Sequence, residues 1–158
     1  MLSFAPRILR IFVWGGLFLA AAPPMPAIAA DALLEDAWTD GLAIRGYDPV
    51  AYFTERRPVK GSAEFDYVWD EAHWHFASAE NRDLFAADPE RYAPQFGAYC
   101  AAAMVDGEAY AADPEAWTIV DGRLYLNYSP RHRDGWRQNL AENIARADAQ
   151  WSALHDLD

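Results

Sequence analysis

The residues from Trp74 to Phe85, Trp-His-Phe-Ala-Ser-Ala-Glu-Asn-Arg-Asp-Leu-Phe, pass from a strand pattern into a helix pattern with no linker between them. Trp74 and Phe76 alternate onto one face, and His73, His75 and Ala77 share the other. Ser78 is an N-cap by residue type and position. Glu80 and Asp83 follow near the positive end of the helix, and Leu84 and Phe85 lie on its buried side. A backbone that turns this sharply holds the side chains at the turn in fixed positions, so the rest of the chain must be arranged around the junction.

The flanking segments supply partners for it. Gly46 and Asp48-Pro49 mark a turn before a helical turn over Val50–Phe53. Phe65, Tyr67 and Trp69 alternate ahead of the Asp70-Glu71-Ala72 turn, which predicts a hairpin returning through His73–Ala77. A helix from Ser78 ends near Ala87, and Asp88-Pro89 starts a second short one. Trp117–Val120 and Arg123–Tyr128 are joined by Asp121-Gly122, a strong two-residue hairpin signal. Ser129-Pro130 opens a last helix, on which Trp136, Leu140, Ile144, Ala147, Trp151 and Leu154 form an apolar stripe. The pattern predicts an α+β fold, with a small antiparallel sheet of two hairpins, helices packed on one side and a long C-terminal amphipathic helix. No repeat is legible within 44–154.

The first 29 residues read as a cleaved signal peptide. Arg7 and Arg10 precede an apolar run from Ile11 to Ala22, and Ala27-Ile28-Ala29 forms an A-x-A site. That run is too short to span a bilayer, which takes about 20 residues. The expectation is export to the periplasm or medium, with no stable membrane span after processing. Residues 30–43 form a lead-in with a short helical tendency, and 44–154 the folded domain. Cleavage removes two arginines and no acids, leaving 11 Lys+Arg against 24 Asp+Glu, a net charge of −13. So acidic a chain excludes nucleic acid and anionic membrane as partners, since both need a basic face. A single cysteine, Cys100, has no internal disulfide partner. It is a small buried hydrophobe, a thiol paired between chains, or a ligand.

Four stretches, GYDPVAYF (46–53), WHFASAENRDLF (74–85), DPERYAPQFGAYCA (88–101) and PEAWTIVDGRLYLNYS (114–129), resemble the YHS domain family, in particular an exported branch of largely unassigned function. The resemblance implies the fold, an exported location and metal binding. The metal-binding members look like Asp-Pro-Val-Cys at the first turn and Tyr-Phe-Cys-Ser-x-x-Cys at the strand–helix junction. Here those three cysteine positions hold Ala51, Ala77 and Asn81, so no closed four-ligand zinc site carries over.

The residues themselves offer a different donor set. Cys100 and Met104, four apart, share a face, and thiolate and thioether favour Cu(I), which imidazole also suits. A soft-metal (copper) site of Cys100, His75 and Met104 is the leading expectation, with His73 on the same strand face as His75. Two alternatives stand beside it. One is a non-catalytic structural or interaction module without metal, its seven tryptophans and eight tyrosines forming a surface for a protein partner. The other is a Cys100-dependent enzyme with His75 as base and Tyr99 or Asp48 orienting it. No nucleophile elbow, P-loop, dinucleotide fingerprint or H-E-x-x-H is present, so no catalytic residue is assigned.

Overall fold

The computed structural model describes residues 41–155; the signal peptide expected over 1–29 and nearly all of the 30–43 lead-in lie outside them. A one-turn helix α1 (Ala51–Thr54) precedes the hairpin of β1 (Ser62–Trp69) and β2 (Ala72–Phe76). Helices α2 (Ala79–Ala87) and α3 (Pro89–Tyr92) follow, then α4 (Ala101–Met104). A second hairpin, β3 (Asp113–Val120) and β4 (Arg123–Asn127), leads to α5 (Pro130–Trp136) and the long α6 (Leu140–His155). Each hairpin is its own two-stranded antiparallel sheet with helices against it, the α+β architecture that the patterning predicts. Among the described residues, no helix is long and apolar enough to cross a membrane.

The two halves are copies of one unit, contrary to the expectation of no repeat. Register pairs in the first hairpin recur 51 residues on: Ser62–Phe76 as Asp113–Asn127, Asp66–His75 as Trp117–Leu126, Trp69–Ala72 as Val120–Arg123. Both hairpins carry their irregularity in the same interval, after Ser62 and after Asp113. Both turn on two residues of positive φ, Asp70-Glu71 and Asp121-Gly122, the conformation that matches strand twist in a tight hairpin. Each hairpin then ends in a serine-capped helix. Ser78 Oγ accepts from Asn81 N–H at 3.2 Å, and Ser129 Oγ from His132 N–H at 3.4 Å. Even the surface pairs recur, with Arg82 on Asp83 at 2.8 Å and Arg133 on Asp134 at 2.9 Å.

The cores follow the same plan. Strand β2 buries Ala72, Trp74 and Phe76 and turns His73 outward. Phe85 of α2 is packed by Trp74 at 5.0 Å and Phe76 at 5.2 Å between ring centroids. The corresponding pair in the second unit is Tyr125 and Trp136, 5.2 Å apart. Of the C-terminal stripe, Trp136 and Ala147 are buried and Leu154 is exposed. A 3₁₀ turn at Arg137–Asn139 lies within the long C-terminal helix that the stripe predicts, between α5 and α6.

Tyr52 ties the units together. It is wholly buried, its hydroxyl donates to Pro114 O at 2.9 Å, and its ring lies 5.5 Å from that of Trp117. Burial first, then the nearby Glu115 carboxylate, pushes its phenol far above the ordinary value. Above about pH 10 the unfolded chain therefore loses this proton while the folded chain keeps it, and stability falls as pH rises. Urea unfolding should show this fall, by about 1.4 kcal/mol in all between pH 9 and 11 for one such group. Tyr52→Phe should reduce the fall by that amount. A second fold test concerns the caps: Ser78→Ala should lower the unfolding free energy by about 1 kcal/mol, and urea titration reads it.

Candidate functional site

The strand–helix junction of the first unit closes on one buried carboxylate. Asp48 is 0% exposed. Its Oδ1 accepts from Val50 N–H at 2.8 Å and Ala51 N–H at 3.3 Å, tying down the start of α1. Its Oδ2 accepts from Ala77 N–H at 2.8 Å and the Asn81 side-chain amide at 2.6 Å. A carboxylate out of water needs such donors, and here two segments far apart in sequence supply them. Ala51, Ala77 and Asn81 are the positions where metal-binding members of the resembling family carry cysteine. Two present only backbone amides to Asp48, and the third donates its side chain. A thiolate cage does not fit this junction.

The second unit has the same scaffold with different contents. Cys100 stands where Asp48 stands. Its amide donates to Tyr110 O at 2.9 Å, as that of Asp48 donates to Val59 O at 2.8 Å. Each follows a tyrosine whose amide donates three residues back, Tyr47 to Ile44 O and Tyr99 to Phe96 O. Across the junction, Ala77 and Asn81 correspond to Tyr128 and His132. In place of a filled knot there is an open cleft of about 370 Å³, lined by Cys100, Ala102, Ala103, Glu108, Tyr110, Tyr128 and His132.

Cys100 is 1% exposed at the base of this cleft, while Tyr110 and Tyr128 stand more than half exposed as its walls. Asn127, where the first unit has Phe76, is fully buried beside it. Its Oδ1 accepts from Ala102 N–H at 3.1 Å and lies 4.0 Å from Cys100 Sγ, and its Nδ2 has no partner. His132 Nδ1 lies 2.8 Å from Ser129 Oγ, and its ring packs edge-on against Tyr128 at 5.5 Å. The Tyr110 hydroxyl is hydrogen-bonded to Glu108, and that bond with the carboxylate's charge raises its phenol above the ordinary value.

The three residues expected to hold copper lie in different settings. His75 is in the first hairpin with Nε2 3.6 Å from Asp66 Oδ1, and His73 Nδ1 lies 3.0 Å from Asp66 Oδ2. Met104 is fully buried in the second core with Tyr125 and Trp136. Cys100 lies under the second-unit cleft, and the imidazole that lines the cleft with it is His132. Among the described residues, no three His, Cys, Asp or Glu side chains gather as a metal cage. Sequence reasoning passed over His132 and Asn127. The signal that finds His132 is the serine cap, since Ser78-x-x-Asn81 and Ser129-x-x-His132 share one spacing.

Residues 50–96 match the family model of the YHS domain. The YHS-domain match begins at Val50, two residues after Asp48, and stops at the entrance of the second unit. No curated protein and no solved structure matches the chain. The closed junction of the first unit sets an expectation for mutagenesis. Asp48→Ala leaves Ala77 N–H and its neighbours without an acceptor, and should cost about 3 kcal/mol or more in urea unfolding. A loss under about 1 kcal/mol would mean that the junction does not depend on the carboxylate.

Proposed function

We propose that this protein is a non-catalytic binding module and that its ligand site is in the second unit, where Cys100 and His132 take up a soft metal ion, Cu(I) before others. One observation carries the reading: these residues occupy the positions that Asp48 and Asn81 fill in the first unit, and that pair is in contact at 2.6 Å. Cys100 and His132 line one cleft, and a thiolate and an imidazole are soft and borderline donors of the kind copper(I) favours. When Nδ1–H of His132 donates to Ser129 Oγ, Nε2 keeps the lone pair that a metal needs, and the serine fixes the ring.

Compared with the sequence-derived set, this reading keeps Cys100, exchanges His75 for His132, and leaves Met104 to the core. Export would bring such a site into contact with metal outside the cytoplasm. Because the thiol binds as thiolate, uptake should release a proton and weaken as pH falls.

Anaerobic Cu(I) titration against a chromophoric chelator is the test. Wild type should withdraw the ion from the chelator, and Cys100→Ser should abolish this. His132→Ala should weaken it at least tenfold, while His75→Ala changes it less than twofold. If wild type and Cys100→Ser compete equally poorly, the metal reading fails.

A further inference from the structure

The comparison of the two junctions leads beyond the metal. In the first unit, a carboxylate from within the chain satisfies the amide that follows the strand and the polar side chain one turn into the helix. In the second unit those donors persist as Tyr128 N–H and His132, but Cys100 is too short and not an acid. The space that a carboxylate would enter is the cleft of about 370 Å³. Asn127 takes over only one of the duties of Asp48, accepting from Ala102 N–H at 3.1 Å, and its buried Nδ2 is left without a partner next to Cys100.

The geometry points to a small monocarboxylic acid as a ligand of this cleft, its carboxylate accepting from Tyr128 N–H and from Nε2–H of His132 as Asp48 accepts from Ala77 N–H and Asn81, in the metal-free tautomer in which Ser129 Oγ–H donates to Nδ1. The body of the acid would lie between Tyr110 and Tyr128. These exposed rings offer apolar area at low conformational cost, so a flat or short apolar body fits them. Glu108 also lines the cleft, with its carboxylate engaged by the Tyr110 hydroxyl. A cleft already holding one fixed carboxylate takes a monoanion in preference to a dianion. This inference does not rest on copper, because its donors are an amide and an imidazole and the Cys100 thiol is not among them.

The test is titration of the purified metal-free protein with sodium benzoate, read by amide chemical shifts, with benzyl alcohol as the uncharged control. Benzoate should give saturable shifts at Tyr128 and its neighbours, and benzyl alcohol should give none of comparable size. His132→Ala should weaken benzoate at least fivefold. Cys100→Ser, which removes the metal-binding thiol, should leave it within twofold, which separates this inference from the metal reading. Cys100→Asp places a carboxylate where the first unit has one, and should abolish benzoate binding by filling the site from within. Equal responses to benzoate and benzyl alcohol, no saturation at Tyr128, or undiminished binding by a folded Cys100→Asp protein would each overturn the inference. If Cys100→Asp does not fold, the wild-type comparison of the two ligands and the His132→Ala titration decide it.

Discussion

A buried carboxylate with four donors holds the first unit in shape. Asp48 takes amides from the start of α1 on one oxygen and the β2–α2 junction on the other. The helix that starts at this junction carries Phe85 into its aromatic cluster with Trp74 and Phe76. Such bonds are charge-assisted and shielded from water, so they are strong, and removing the acceptor strands several donors at once.

Duplication gives that constraint a functional meaning. Two copies of a unit rarely need two copies of one site, and here the copies have parted at the residue that matters most. The first keeps an internal acid and has become a structural knot. The second replaced the acid by Cys100, the amide side chain by His132 and a core phenylalanine by Asn127. What remains is a cleft with a thiol at its base, an imidazole among its lining residues and tyrosines as its walls. The YHS family model covers residues 50–96, which hold the first hairpin and the Ala77 and Asn81 side of its closed junction.

Much of the fold was legible because it rests on local chemistry. Ser78 and Ser129 announce their helices, Asp121-Gly122 announces its turn, and alternating aromatics announce the first hairpin. The duplication was not legible. It is preserved in register and turn conformation, while identity survives at few positions, such as Asp70 and Asp121 or Ser78 and Ser129. Phe85 and Trp136 do the same work with different rings. The second-unit cleft was hidden for the same reason. His75 stood out beside His73 at the family junction, and its partner turned out to be Asp66 in the first hairpin. His132, inside a run of charged residues after a helix cap, looked like surface. Its place in the lining of the cleft over Cys100 shows only in the folded chain.

Amide hydrogen exchange at two corresponding positions tests the account at its centre. Ala77 N–H is held by Asp48 in a filled junction, and Tyr128 N–H is the corresponding amide beside the open cleft. The account requires Ala77 to exchange only on large-scale opening, with protection near that of the core strands, and Tyr128 to exchange orders of magnitude faster in the ligand-free protein. Equal, strong protection at both positions would contradict it, because the second junction would then be as closed as the first.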